Sequence, residues 1–435
     1  MDPNWNNATH HSARLAVVKK HIDAFGFPIQ SITPINYEPS HSHPYPNFLF
    51  LVTLTTPMCA PLWTGLYPGT SQWSKPSGKV LFRFSNRHPD TGFNLDTRVG
   101  NEIAAMSIAR DALRSAGLAT VVPEVWAWKG VPGYWGEHPS TAMQVIDGEP
   151  LDEVFPTLAD DEKNEAMRQI AQIVAAIQSV KLPETLKGFG GMGFDGEECG
   201  SAVVAGPIAR FKAGPFETFA EMTKGMMRCK LEEADKHKIL QGCRARLQAL
   251  VDVGIDNLLE GIDTSQRCLA HGDFTMKNML YSKASGKLTG LIDFDYSSIS
   301  HAATDLFTSD PSYARLPNRY TADEEQLTLR DALLNGFPEP LPANTESVDW
   351  DTAKQWDEQM AAAGCVRAES MDEKELDVLS WLYEVLELLS PDNLTNPTTL
   401  RLRANQKGDI EREKEEAEEL IEKALEDWAE GKIGG

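Results

Sequence analysis

The chain has 435 residues, with 41 Lys and Arg against 64 Asp and Glu, giving a formal net charge of -23. Its length allows two or three domains at roughly 100 to 200 residues each, and its 41% hydrophobic and 24% charged content points to neither wholesale disorder nor a membrane protein. The negative field disfavours nucleic acid and anionic membranes as partners and attracts a cationic small molecule.

Residues 1–30 hold no apolar signal-peptide core and no run reaches the roughly 18 apolar residues of a membrane span, so a cytoplasmic protein off the membrane is expected. The six cysteines (Cys59, Cys199, Cys229, Cys243, Cys268 and Cys365) are scattered without a C-x-x-C pair and read as reduced thiols. In such a compartment the acceptor patterns at Asn7 and Asn393 go unglycosylated.

From the N-terminus, Ser12 is placed to cap a helix carrying Leu15, Val18, Ile22 and Phe25 at helical spacing, with Gly26 and Pro28 as its stop. Strands are expected at 48–54, 79–84 and 121–128, with a long loop over 61–78. A helix over 97–116 interrupts them, with Ile103, Met106 and Leu113 on one stripe and Gly117 at its end. A strand over 142–146 leads out through Gly148 and Pro150. From about residue 160 the period becomes helical, as at Met167, Ile170, Val174 and Ile177 and later at Leu376, Leu379, Val385 and Leu389. The charged terminus carries Leu420, Ile421, Ala424, Leu425 and Trp428 on one stripe, which predicts an amphipathic packing helix.

Chemistry concentrates between residues 268 and 306. His271-Gly-Asp273 is followed by Asn278 five residues after the aspartate, and then by Leu291-Ile-Asp293-Phe-Asp295. Phosphoryl transfer needs a carboxylate that orients or deprotonates the acceptor, and oxygen ligands for Mg²⁺ beside the nucleotide phosphates. Asp273, Asn278 and Asp293 are the candidates, the last two as metal ligands. Strands at 279–281 and 288–292 would form a hairpin presenting Asn278 and Asp293 from neighbouring ends. Asp273 and Asn278 keep the offset of the kinase loop H-R-D-x-x-x-x-N.

These motifs resemble the aminoglycoside phosphotransferase and choline kinase-like family of small-molecule kinases. The resemblance implies an α+β, two-lobed protein-kinase-like fold with a small β-rich N-lobe and a larger helical C-lobe. It also implies ATP and Mg²⁺ as cofactors and a small-molecule hydroxyl as acceptor. Asp305, in the Asp-Leu that closes the block, is expected to steady the catalytic loop.

The same resemblance assigns phosphate contact to Arg83, on a strand where the family usually has lysine, with Glu102 as its helix partner. Arginine keeps the charge but replaces a compact ammonium by a planar fork. The adenine is expected against Gln144, Val145 and Ile146. No glycine-rich loop precedes residue 48; backbone amides, Ser40, Ser42 or Asn47 are left to cover the phosphates, and His41 and His43 read as surface residues rather than metal ligands.

Gly188-Phe-Gly190-Gly-Met-Gly193 satisfies G-x-G-x-x-G but follows no strand and opens no helix, so it reads as a flexible loop beside the cleft rather than a dinucleotide site. The expected units are 1–143, 144–405 and the terminal helix 406–435. Two rival functions are a catalytically reduced nucleotide-binding regulator and a protein kinase; the latter lacks an A-P-E signature after Asp293.

Overall fold

The computed structural model describes residues 11–24, 28–38, 40–58, 64–73, 76–86, 89–90, 92, 94–130, 139–310 and 313–434. Asn7, Phe25, Gly26, Cys59, Pro61 and Gly133 lie outside them.

Helix α1 (His11–Ala24) includes Ser12 in its first turn. Five antiparallel strands follow in the sheet order β1-β2-β3-β5-β4: β1 (Ile29–Ile35), β2 (Asn47–Met58), β3 (Ser77–Ser85), β4 (Val125–Lys129) and β5 (Ser140–Met143). Polar Gln30, Ser31 and Thr33 hide β1 from a hydrophobic pattern search, and its edge position tolerates Pro34. The strand expected over 121–128 begins at Val125, because Pro123 has no N–H for a ladder and 119–121 close a 3₁₀ turn instead.

Phe50, Val52, Val80, Phe82 and Phe84 alternate onto one face of the sheet, where Val18 and Ile22 of α1 cover them. Trp73 stacks on Trp126 at 3.7 Å between centroids in the same cluster. Each fully buried side chain of this kind contributes about 1.5–3 kcal/mol. Arg83, between Phe82 and Phe84, therefore points to the opposite face.

That face meets α2 (Arg98–Ser115), with Thr97 at its N-cap and Ala116 at its C-cap. Ile103, Met106 and Leu113 of α2 belong to the core of the helical half, not to the outer sheet cluster. A short β6 (Glu149–Pro150) leads into that half, followed by α3 (Asp160–Gln178), whose Met167, Ile170 and Ile177 are buried. Next come the hairpin β7 (Gly191–Phe194) and β8 (Val203–Gly206), then α4 (Phe219–Lys236) and β9 (Arg267–Ala270). β10 (Met279–Ser282) pairs with β11 (Lys287–Leu291), and β12 (Ser298–His301) returns to β9. Helices α5 (Glu324–Asn335), α6 (Trp350–Ala363), α7 (Glu373–Leu388) and α8 (Lys407–Ala429) complete the chain. Ala417, Ile421, Ala424 and Leu425 of α8 are buried, giving its stripe a surface to cover. A small sheet unit joined to a larger helical one is the two-lobed, protein-kinase-like α+β fold.

The G-x-G-x-x-G stretch is a structural hairpin, not a loose loop. Gly190 exchanges backbone hydrogen bonds with Ile299, and the Met192 N–H donates to Asn101 Oδ1 on α2 at 2.7 Å. A Cβ on Gly188 or Gly191 would fall 2.1 Å from a carbonyl oxygen, of Phe216 and Pro207 respectively. Close backbone approach, rather than a bound phosphate, is what these glycines serve.

Candidate active site

The β10–β11 hairpin builds the centre of the site. Met279 pairs with Leu291, and the Ile292 N–H donates to the Asn278 carbonyl at 2.9 Å, so Asn278 and Asp293 leave adjacent strand ends. Asn278 is buried and donates its Nδ2 to both Asp273 Oδ2 and the Asp273 carbonyl, each at 2.9 Å. That arrangement fixes the half-buried Asp273 carboxylate and leaves Asn278 Oδ1 without a protein partner among the described residues.

Asp305 accepts from the backbone N–H of His271 at 3.0 Å and of Gly272 at 2.9 Å. Its carboxylate spans the two residues before Asp273, the steadying role expected of it. The His271 ring sits 3.2 Å, Nε2 to oxygen, from the Ile292 carbonyl, and burial pushes its pKa down, which favours a neutral ring linking the loop to the hairpin.

Asp293 has φ 65° and ψ 62°, a left-handed conformation that carbon-branched side chains rarely adopt. Its Oδ1 is enclosed without a hydrogen-bond partner, while the side chain as a whole is 42% exposed toward the cleft. Burial, then the neighbouring Asp295, pushes its carboxyl up to about 6.

Arg83 pairs with Glu102, as the resemblance implies, but also with Asp295, which in turn pairs with Arg98. Arg98 Nε donates to Asp295 Oδ1 at 3.0 Å, and Asn47 Nδ2 donates to Asp295 Oδ2 at 3.2 Å. Burial alone would raise the Asp295 carboxyl; Arg83 and Arg98 outweigh it and hold it well below the usual carboxylate range. Burial pushes Glu102 up to about 7 against the pull of Arg83. Asp293 stands 3.6 Å from the Arg83 guanidinium. Two guanidinium groups thus face the three carboxyl groups of Glu102, Asp293 and Asp295, one more than they can neutralise when all three are ionised. Ligand oxygens of those three acids lie within 4.8 Å of one another. Glu102 and Asp295 are committed to arginines and Asp293 Oδ1 faces Arg83, so Asp293 Oδ2 and Asn278 Oδ1 are left without a protein partner among the described residues, oxygens of the kind a hard divalent cation takes.

Sequence reasoning missed Arg98 and the role of Asp295. A signal existed: Arg98, Asn101 and Glu102 recur at i, i+3 and i+4, so three polar side chains share one face at the start of the helix. All three are buried.

The segment after β5 presents Gln144, Val145 and Ile146. The Gln144 N–H donates to the Glu124 carbonyl at 2.8 Å and its Oε1 accepts from the Glu124 N–H at 3.1 Å, so Glu124 takes up the backbone N–H and side-chain oxygen of Gln144 and leaves its carbonyl and Nε2. Ile146 packs over Gly290 of the β10–β11 hairpin. In the loop before β2, Ser40 bonds to Glu38, Ser42 to His43 and Asn47 to Asp295. His41 stacks on Tyr45 at 4.9 Å, and neither His41 nor His43 belongs to a metal-competent cluster among the described residues.

A cavity of about 860 Å³ opens from Gly272 and Asp273 and runs between α4, α7 and α8. Helix α8 does more than pack: Glu413, Glu416, Ala417 and Leu420 form part of its wall.

The sequence profile of the Phosphotransferase enzyme family matches residues 83–344, from Arg83 through Asp273, Asn278 and Asp293. The chain belongs to that family. The matched span ends ahead of α6, so the α7 and α8 walls of the cavity lie beyond it. No curated protein matches the chain significantly. Among solved structures, ADP-bound aminoglycoside phosphotransferase APH(2'')-Ib is 11% identical, with 93% of this chain and 98% of that chain covered and a TM-score of 0.46. APH(3'')-Id from Streptomyces rimosus is 12% identical, with 87% and 98% covered and a TM-score of 0.38. A streptomycin-ATP complex of APH(2")-IIa is 14% identical, with 67% and 74% covered and a TM-score of 0.39. No helix among the described residues is long and apolar enough to cross a membrane.

Proposed function

We propose that this member of the Phosphotransferase enzyme family moves the γ-phosphate of ATP to a hydroxyl of a small molecule. The observation that carries the reading is the Asp273 carboxylate, held by Asn278 at 2.9 Å at the mouth of the cavity and backed by Asp305 through the loop. A hydroxyl entering the cavity meets an oriented carboxylate. As the acceptor oxygen bonds to phosphorus and the bond to the ADP oxygen breaks, the hydroxyl proton passes to Asp273.

Asn278 and Asp293 would hold Mg²⁺, which when bound offsets charge on the β- and γ-phosphates. Arg83 brings positive charge 3.6 Å from Asp293 while anchored by Glu102 and Asp295. The Gln144 carbonyl and the N–H groups of Val145 and Ile146 supply an edge for adenine. The net charge of -23 draws cationic acceptors from a distance, whereas groups within a Debye length of roughly 8 Å decide what stays. A regulator without turnover has no need for the Asp273–Asn278–Asp293 set.

The test is Mg²⁺-dependent ADP release over a panel of hydroxyl metabolites and antibiotics, with mass detection of one added phosphate. Phosphorylated product lost in Asp273→Asn supports the reading. ATP binding with no product across the panel, or phosphorylation of peptides alone, overturns it.

A further inference from the structure

The cavity beside Asp273 carries charges of both signs, and their partners separate them. Glu384 is bound by Arg319 at 2.6 Å and Arg330 at 2.7 Å, and Glu387 by Arg315 at 3.3 Å. On α8, Glu413 is bound by Arg403 at 2.9 Å and Glu416 by Arg412 at 3.5 Å. Asp392, exposed and also in the wall, has no ion pair among the described residues, but these four wall carboxylates are engaged before any ligand arrives.

Two wall cations are not. Neither Arg210 nor Lys230 has a carboxylate within ion-pair distance among the described residues. Arg210 holds its guanidinium carbon 5.5 Å from the centroid of Tyr296, which follows Asp295 and lines the same cavity as Asp273. Lys230, on α4, reaches only the Ser390 carbonyl, at 3.4 Å. Their chain segments touch: Cys229 Sγ, next to Lys230, donates to the carbonyl of Phe211, next to Arg210, at 3.1 Å. Burial and then Arg210 push the Lys230 amine down, to about 8, against the pull of Asp392, Glu387 and Glu233. Lys230 is half-buried and Arg210 exposed, and an anion held beside both would offset the repulsion between an ammonium and a guanidinium.

We infer that Arg210 and Lys230 form an anion subsite of the acceptor cavity, so that the hydroxyl compound presented to Asp273 carries a carboxylate or phosphate group. The inference rests on the phosphotransferase reading for its hydroxyl and on the cavity charges for its anion. It reverses at short range the preference that net charge sets at long range.

The experiment uses four hydroxyl-rich probes of similar size: glucose, glucosamine, gluconate and glucose 6-phosphate. Their binding to the full chain is measured by calorimetry at neutral pH. Gluconate or glucose 6-phosphate should bind at least about tenfold more tightly than glucose and glucosamine, the scale of one charge-assisted hydrogen bond. The double variant Arg210→Met, Lys230→Met, shown to be folded by its circular dichroism, should lose that advantage, and Lys230→Arg should keep it. Preference for gluconate alone marks a carboxylate site, and for glucose 6-phosphate alone a phosphate site. Tighter binding of glucosamine, no binding of either anion, or unchanged anion binding in the double variant overturns the inference. ADP release with the same probes reports on the phosphotransferase reading separately: anion binding without transfer to any hydroxyl compound leaves the subsite standing and removes the kinase.

Discussion

Arg98 at the start of α2 donates through Nε to Asp295 Oδ1 at 3.0 Å, joining residues 197 apart in the chain. Both are almost fully buried, and Arg83 holds the same carboxylate from β3. Sheet, helix and catalytic hairpin are therefore tied at a single carboxylate. Asp295→Ala leaves two buried guanidinium groups short of a partner and should cost about 3–5 kcal/mol of stability. Arg98→Met should cost a similar amount, and the double variant less than the sum, because the two changes break one contact. Denaturant unfolding of the three variants checks this; additive costs would mean the pair is not coupled.

Asp273→Asn keeps the shape and the Asn278 contact site but removes the proton acceptor. Turnover should fall roughly 100-fold or more with ATP affinity kept. Near-normal turnover would assign Asp273 a purely structural role.

Asp305→Asn tests positioning. An amide offers one acceptor oxygen where the carboxylate offers two to the His271 and Gly272 N–H groups. The expected result is a fall in kcat with KM for ATP little changed, together with intact secondary structure. A change confined to KM would place Asp305 in nucleotide binding instead.

Lys230 gives a pH prediction whose sign follows from its lowered pKa. Burial and then Arg210 hold the amine near 8, against Asp392, Glu387 and Glu233. The ammonium needed to pair with an anion is present below that value and is lost as pH rises through it, and a bound anion draws a proton back onto the amine. Gluconate, which stays anionic throughout, should bind more weakly at about pH 9 than at about pH 6.5, whereas Lys230→Arg should bind with little change. An affinity that is flat in the wild type would show that Lys230 does not face the ligand.

Removing residues 406–435 should do two things at once. The core loses the cover of Ile421, Ala424 and Leu425, and the cavity loses the wall containing Glu413 and Leu420. Lower thermal stability and a changed acceptor preference should appear together; lower stability with acceptor preference intact would make α8 packing alone.

How much of this was legible in sequence depends on contact distance along the chain. Asp273, Asn278 and Asp293 fall within one short stretch, and one hairpin with local pairing brings the last two together, so spacing alone pointed to the site. The Arg98–Asp295 contact joins residues 197 apart, and no local pattern fixes it. The resemblance assigned phosphate contact to Arg83 with Glu102 as its partner; its second carboxylate, Asp295, lies 212 residues away, beyond the reach of a local pattern. The G-x-G-x-x-G stretch was taken for a loop because its neighbours Phe216 and Ile299 lie outside the motif. The expected 121–128 strand failed locally at Pro123, a residue whose missing N–H was readable. The cavity wall was out of reach, since α4, α7 and α8 meet only in the folded chain.

Metal-coupled nucleotide binding is the most direct test of the phosphotransferase reading. ATP is titrated into the wild type and Asp293→Ala by calorimetry, with and without Mg²⁺. The wild type should gain affinity with Mg²⁺, and the variant should lose most of that gain and all turnover, while the edge at Val145 and Ile146 retains weak metal-independent binding. A variant that keeps the full Mg²⁺ effect would contradict the assignment and leave Asp293 a turn residue at the end of a hairpin.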